Sequence, residues 1–556
     1  MKKIILLSFF SLVALFAVAQ NNTMPASLLK LLTVGNVINR CYVDEINEDE
    51  IVEEGIRSML KKLDPHSTYT DPKETKTLLE EMQGSFGGIG IQFNMLDDTL
   101  YVIRATAGGP SARAGIKAGD RIVSVNDTAI AGVKMERSDI MSRLRGVEGT
   151  ELNVQVKRAG VPGLLPFSLV RGKIAMESVD VAYMVDKKVG YIRITSFGAN
   201  THKEFVTKLD SLKNRGMKSL ILDLQGNGGG YLSAAVDIAN EFLERTNLVV
   251  YTEGRTSPRY EHLAQGGGRF TQGNLVVLVD ETSASAAEIL AGAVQDWDRG
   301  IIVGRRTYGK GLVQRPFPLP DNSMVRLTIA RYYTPTGRCI QKPYGDSIKY
   351  HDDLMNRYNS GELTNADSHF FPDSLKKSTL RLGRAVYGGG GIMPDYFVPL
   401  DTLRYTAYHR QLARKGSIVM TALRYVDARR AEILAAYPTV EEFDARFKPD
   451  SAFVHELRLQ AGRDSIQAPT AEEFEKSLPE VTRQFRALVA RDLWNTTEAM
   501  QLHNRDNDFF KKGYELIKQR NVDNLLLKKT DADKKPAKKV VKESTYKKVR
   551  KFLLGR

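Results

Sequence analysis

Apolar positions change texture four times along the chain. Leu28, Leu29, Leu31, Leu32, Val34, Val37 and Ile38, then Ile51, Val52, Ile56, Met59 and Leu60, recur at three- and four-residue intervals. That spacing predicts helices over residues 27–82, parted by a turn at Leu63-Asp64-Pro65-His66-Ser67. From 84 to about 171 short β runs broken by glycine take over: Gly87-Gly88-Ile89-Gly90-Ile91, 100–103, 121–125 ending at Asn126-Asp127, and an alternating strand at 152–156. Beyond Lys173, strands of the buried type alternate with helices: a strand at 189–194, a polar helix at 202–212, the strand Leu220-Ile221-Leu222-Asp223-Leu224 running into Gln225-Gly226-Asn227-Gly228-Gly229-Gly230, and a helix at 234–243. Such alternation predicts a largely parallel, layered α/β core. From about 403 to 527 the pattern is helical and charged, with apolar stripes at 418–426, 431–434 and 485–493.

Residues 4–19 form a charge-free apolar run behind Lys2 and Lys3, closed by the small-x-small pattern Ala17-Val18-Ala19. This predicts a signal peptide cleaved near Ala19 and an exported, periplasmic protein. The run is short for a membrane anchor, which needs about 20 apolar residues. No cysteine follows it to carry a lipid, and no second run of 18 or more apolar residues predicts a transmembrane span.

The 556 residues imply three or four domains at roughly 150 residues each. Hydrophobic residues are 42% and charged residues 26%, which excludes wholesale disorder. The net charge of +14 at first suggests an anionic partner. Its distribution removes that reading: residues 528–556 carry a net +9, Lys2 and Lys3 carry two, and residues 4–527 only +3. There is a basic, solvated tail and no basic domain, and a nucleic-acid partner conflicts with export. Cys41 and Cys339 do not make a disulfide framework; whether they pair stays open.

Gly88-Ile89-Gly90-Ile91 is similar to the carboxylate-binding loop of PDZ domains. The segments Gly109-Pro110-Ser111-Ala112, Ala114-Gly115-Ile116 and Gly119-Asp120-Arg121-Ile122 resemble the second half of bacterial PDZ modules. The physics fits, because successive N–H groups freed by glycine geometry accept a C-terminal carboxylate while the peptide adds a strand to the sheet edge. A plain Gly-rich hairpin explains the loop but not the spaced Gly-Asp-Arg-Ile segment.

Leu275-Val276-Val277-Leu278-Val279 is a buried strand, Asp280-Glu281-Thr282-Ser283 a turn, and Ser285-Ala286-Ala287-Glu288 opens a helix. Taken alone, Ser285 and Glu288 read as a capping box. Further on, Gly304 to Gly311 nearly spells a nucleotide-binding G-x-x-x-x-G-K loop. That reading fails because Gly311 stands where a Ser or Thr should hold Mg²⁺, and the following residues are extended rather than helical. No G-x-S-x-G elbow or H-E-x-x-H zinc motif occurs, and His262, the histidine nearest Ser285 in sequence, has no supporting aspartate pattern. A serine hydroxyl needs a neighbouring base. Lysine is the remaining candidate, and as a base near neutral pH it has to fall about three units from about 10.4, a cost of about 4 kcal/mol supplied by burial.

The block as a whole resembles the carboxy-terminal processing proteases, serine peptidases of family S41 with a PDZ domain and a Ser-Lys dyad. The likeness rests on the turn at 63–67, the PDZ segment, Asp223-Leu224 with Asn227 and the glycines, Ser283-Ala284-Ser285-Ala286 with Glu288, Gly309-Lys310-Gly311 with Gln314, Tyr333-Thr334-Pro335-Thr336-Gly337-Arg338, and Gly391-Ile392-Met393-Pro394-Asp395. It covers roughly 24–400; Gln225 departs from it where the family often has Arg. The resemblance implies Ser285 as nucleophile, Lys310 as base and then acid, and Gln314 orienting the lysine amine. It places the oxyanion hole at the N–H groups of Ala286 and of a glycine in 228–230, foremost Gly229, and peptide binding at Gly88, Ile89, Gly90 and Ile91. It implies no metal and no organic cofactor, and substrates with free, apolar C-termini.

The expected fold is α/β multidomain: a signal peptide (1–19), N-terminal helices (20–83), a β-rich PDZ domain (84–172), a layered α/β core of crotonase or Clp type (173–400), a helical C-terminal extension (401–527) and a basic tail (528–556). In relatives such terminal helices support homo-oligomers or dock adaptors. The competing reading is an inactive PDZ scaffold or chaperone, against which Ser285, Lys310 and Gln314 stand together.

Overall fold

A computed structural model of the chain describes residues 24–345, 350–365, 368, 371–467, 469–519 and 522–532. The expected signal peptide, its cleavage site near Ala19 and the tail beyond 532 lie outside the described residues. Within them the backbone divides into two compact units, residues 24–72 with 316–327, and residues 73–315 with 328–532.

In the first unit the expected helical run resolves into helices Ala26–Cys41 and Glu48–Lys61. The second is capped by Asn47, whose side chain accepts the Glu50 N–H, and opens on Glu48, Asp49 and Glu50 where the helix dipole favours acids. Asp64 makes the turn between helix and strand, its carboxylate taking the N–H groups of His66 and Ser67 and the Ser67 hydroxyl. The chain then leaves the helical pattern, because Thr68–Thr70 pairs antiparallel with residues 324–326. Helix Ala26–Cys41 buries no residue.

The second unit begins with helix Pro72–Gln83, which the unit boundary cuts at its first residue, and strand Ser85–Gly88. The glycine-rich run expected as one strand is two. Ser85–Gly88 pairs with Gly172–Ala175, and Ile91–Met95 enters a separate sheet whose strands continue as Leu100–Ala105, Arg121–Val125, Glu151–Lys157 and Leu165–Val170. Ile89 and Gly90 form the loop between them. Ile89 is buried in this domain's core with Ile122, Ile140 and Val154, and Gly90 has a φ of +71°. Neither Ile89 nor Gly90 spends its N–H within the domain. Ile91–Met95 is an edge strand, with helix Arg137–Leu144 contributing Ile140 and Leu144 to the same core.

A six-stranded sheet runs Val181–Met184, Val189–Arg193, Ser219–Asp223, Asn274–Val279, Ile301–Gly304, Tyr396–Phe397, antiparallel at the first pair and parallel thereafter. Its central strands are apolar along their middles, Leu220-Ile221-Leu222 and Leu275-Val276-Val277-Leu278-Val279, because both faces are covered. Leu220, Leu222, Leu275 and Val277 face helices Thr201–Asn214, Leu232–Asn240 and Ala286–Asp296 through Phe205, Ile238 and Leu290. Ile221, Val276 and Leu278 face the other way, onto Phe510, Leu516 and Ile517 of helix Asp508–Ile517 and onto Leu525 and Leu526 of helix Val522–Ala532. Gly513 permits that contact, since a Cβ there would lie 2.9 Å from Leu278 and 3.1 Å from Val276. The helical C-terminal region therefore has two parts. Its end completes the α/β layers, and residues 407–504 build a core of their own around Phe443, Phe453 and Phe485.

Candidate functional site

Three loops at the carboxyl ends of the parallel strands meet around Ser285. The first leaves strand Asn274–Val279 through an aspartate turn: Asp280 accepts the N–H groups of Thr282 and Ser283, and the Ser283 hydroxyl crosses to the Leu224 carbonyl at 2.7 Å. Ser285 follows at φ +56° and ψ −115°, a region that side-chain-bearing residues avoid, and helix Ala286–Asp296 starts immediately after. A strained residue between strand and helix points to function, because the surrounding bonds have to hold it there.

Those bonds come from Glu288 and Tyr332. The Glu288 carboxylate accepts the Ser285 N–H at 2.8 Å, the Gly309 N–H at 2.7 Å, the Lys310 N–H at 2.9 Å and the Thr307 hydroxyl at 2.5 Å. It is fully buried, and burial pushes it up to about 6, opposed by these four donors. The capping reading of Glu288 therefore holds only half of its role, since the same carboxylate carries the loop of Lys310. On the opposite side the Tyr332 hydroxyl lies 2.6 Å from the Lys310 carbonyl and 3.0 Å from that of Ser285. Lys310 is half-buried. Gln314, on strand Leu312–Pro318, donates its side-chain amide to the Thr328 hydroxyl at 3.3 Å.

The second loop is 225–230. A Cβ on Gly229 would sit 2.7 Å from Ser285 Cβ and 3.0 Å from Ala286 N, so only glycine admits this approach, at φ +101°. The Ala286 N–H, first of its helix, makes no hydrogen bond among the described residues. The Gly229 N–H is differently placed, because it donates to Asn227 Oδ1 at 2.8 Å, while Asn227 Nδ2 holds the Ile194 carbonyl. Of the two N–H groups beside Ser285, that of Ala286 is therefore unspent among the described residues and that of Gly229 is taken by Asn227. Gln225 turns back onto Asp223, giving both its N–H and its side-chain amide to one carboxylate oxygen. From Gly229 and Gly230 a groove of about 390 Å³ extends between Phe197, Met176, Leu78 and Met82.

The Tyr-Thr-Pro-Thr-Gly-Arg motif secures the far end of the serine's helix. Thr336 gives its N–H and hydroxyl to Asp296, and Arg338, 2% exposed, pairs with Asp296 and Gln295. His262 lies apart on strand Ser257–Leu263 against the Tyr260 ring. Both cysteines are unpaired in this structure. Sequence reasoning missed Tyr332 and Thr307. Both are within a few residues of motif positions, but nothing in one sequence signals where a hydroxyl will point.

Family models assign residues 188–349 to peptidase family S41, 87–165 to the PDZ domain and 408–495 to a family of unknown function (DUF8443). The carboxy-terminal processing protease CtpA of Bacillus subtilis is 35% identical over 302 residues, which cover 54% of this chain and 64% of that protein. A carboxy-terminal-processing protease of Bartonella bacilliformis is 32% identical over 338 residues, 60% of this chain and 77% of that protein. Among solved structures, a photosystem II D1 C-terminal processing protease aligns at 30% identity over 56% of this chain and 90% of its own, with a TM-score of 0.32. The PDZ domain of a Vibrio cholerae carboxy-terminal protease, solved with a peptide, aligns at 28% identity over 16% and 97%, with a TM-score of 0.15. Ser285, Lys310 and Gln314 fall inside the peptidase match and the glycine loop inside the PDZ match, and with a relative a third identical over three quarters of its length the chain belongs to the carboxy-terminal processing proteases of peptidase family S41.

Proposed function

We propose that this chain is an exported, periplasmic serine endopeptidase that recognises the free, apolar C-terminal regions of envelope proteins through its PDZ domain and cleaves them through a Ser285-Lys310 acyl-enzyme. One observation carries the reading: Ser285 is held in a strained conformation at a helix start, against a glycine that leaves room for a substrate carbonyl, by the carboxylate that also holds the Lys310 loop. In the first step the neutral Lys310 amine takes the Ser285 Oγ proton as Oγ bonds the scissile carbonyl carbon. The oxyanion is received by the Ala286 N–H, then by Gly229 once Asn227 lets go. The lysine ammonium passes its proton to the departing amine, the C–N bond breaks, and an ester on Ser285 remains. Water then attacks that ester, giving its proton to Lys310, which returns it to Ser285 Oγ. Gln314 orients the lysine amine throughout.

The unspent N–H groups of Ile89 and Gly90 support the PDZ part, as donors for a C-terminal carboxylate beside the edge strand Ile91–Met95. The scaffold reading draws support from the Gly229 N–H being occupied, which describes a site not yet set for an oxyanion. A denatured substrate with an apolar C-terminus separates the two. Ser285→Ala and Lys310→Ala are each expected to abolish cleavage while the fold is retained, and amidation of the substrate C-terminus to slow the wild type. Full-rate cleavage by either variant rejects the dyad. The same reading includes a homo-oligomer, supported by Leu28, Leu29, Leu31 and Leu32, each about half exposed on helix Ala26–Cys41. An adaptor partner is a further expectation of the family, and light scattering on the purified chain distinguishes oligomer from monomer.

A further inference from the structure

Lys310 stands between Gly309, at φ +86°, and Gly311, and a loop flanked by two glycines does not hold its own geometry. Ser285 is likewise at a turn, in a conformation its backbone does not prefer. Glu288 binds the N–H groups of both. We infer that Tyr332 is the matching positioning residue on the carbonyl side, fixing the separation of the Ser285 and Lys310 backbones by sharing one hydroxyl between their two carbonyls. The inference rests on the Ser285-Lys310 reading above.

The hydroxyl has a single proton and two acceptors, at 2.6 Å and 3.0 Å. It satisfies the closer Lys310 carbonyl chiefly and that of Ser285 in part, which is possible only while the two stay together. Tyr332 can act as a fixed post because its ring is 1% exposed within the main core and its N–H is anchored to the Gly311 carbonyl at 3.0 Å. Burial raises its hydroxyl well above the usual tyrosine value, so it remains a donor wherever the enzyme works. With the post removed, the glycine-flanked loop drifts, water reaches the Lys310 amine, and its protonated form is favoured.

The test compares the full chain with Tyr332→Phe, which removes one oxygen and leaves the ring, with Ser285→Ala, and with Tyr260→Phe on an exposed strand as a control. Turnover of an internally quenched peptide with a free apolar C-terminus is followed from pH 5 to 10. For Tyr332→Phe, kcat is expected to fall at least tenfold with KM within about twofold, and the rising limb of kcat/KM to move about half a pH unit or more toward alkali; Tyr260→Phe leaves all three unchanged. A folded Tyr332→Phe with wild-type kcat and limb overturns the inference while an inactive Ser285→Ala leaves the dyad standing. An active Ser285→Ala overturns the dyad itself. Should Tyr332→Phe fail to fold, 3-fluorotyrosine at 332 keeps the hydroxyl and raises its acidity. As a stronger donor it holds the two carbonyls more firmly, so the limb moves toward acid at an unchanged melting temperature, and a limb that stays or moves toward alkali overturns the inference.

Discussion

Glu288 shows how one buried charge couples activity to stability with opposite signs. Its carboxyl titrates at about 6 in the folded chain against an ordinary 4.5, because burial disfavours the charged form. Between those values the folded state binds more protons than the unfolded one, so this group's contribution is fully present below pH 4.5 and is lost as pH rises through 6, about 2 kcal/mol in all. Activity runs the other way. Protonated, the carboxyl presents an O–H to a ring of four donors and releases one of Ser285, Gly309, Lys310 or Thr307. The wild type is therefore expected to lose activity below about pH 6 while this group adds stability there. Glu288→Gln removes that part of the pH dependence, and it lowers kcat at neutral pH by roughly 10- to 100-fold because an amide replaces one acceptor oxygen with a donor. Denaturant unfolding at pH 5 and pH 7.5, for wild type and variant, reads the stability difference. An identical pH slope in both would exclude Glu288 as its source.

At the scale of elements, helix Asp353–Asn359 lies beyond the stretch matched by the peptidase family model, yet it braces the loop that carries Lys310. Arg357 donates to the carbonyls of Arg306 and Thr307, just before Tyr308 and Gly309, and Glu362 bridges Arg306 and Arg357. All three charged side chains are about 5% exposed. Removing the carboxylate leaves two guanidinium groups buried together, so Glu362→Gln is expected to cost about 3–5 kcal/mol, whereas Arg357→Ala leaves the Arg306–Glu362 pair and costs less. Thermal melts of the two variants check the order, and the reverse order would show that Glu362 is not the keystone. This brace was invisible in the sequence, because its members are about 50 residues apart and no periodicity links them. What the sequence did carry were the elements whose pattern is local: the strands at 220–224 and 275–279, apolar because both faces are buried, the helix opening at Ser285, and the glycine loops. The split at Ile89-Gly90 and the strand at 68–70 were hidden because pairing with distant segments, not local pattern, decides them.

At the scale of the molecule, the C-terminal region turns from an appendage into a structural partner. Phe510, Leu516 and Ile517 of helix Asp508–Ile517, with Leu525 and Leu526 of helix Val522–Ala532, cover one face of the peptidase sheet, and helix Ser417–Ala436 takes hold of the PDZ domain. Leu423, fully buried, packs among Leu96, Tyr101 and Ile103, and on either side Arg424 pairs with Asp97 and Asp427 with Arg121. The ion pairs are partly exposed and contribute little, about 0–1 kcal/mol each, so the apolar contact dominates. Leu423→Asp places a carboxylate without a partner into that contact, and separation of the two surfaces is the cheaper outcome. The PDZ domain would then hang from the strand pair Ser85–Gly88 and Gly172–Ala175, exposing the peptide bonds after Arg171 and Lys173. Trypsin under native conditions is expected to cut Leu423→Asp there well before wild type, with Arg424→Ala between them. Equal resistance in a folded Leu423→Asp would mean that the strand pair alone holds the domain. Early cleavage, joined to a changed response to C-terminal amidation of the substrate, would make the helical region the part that sets where the PDZ groove presents its peptide.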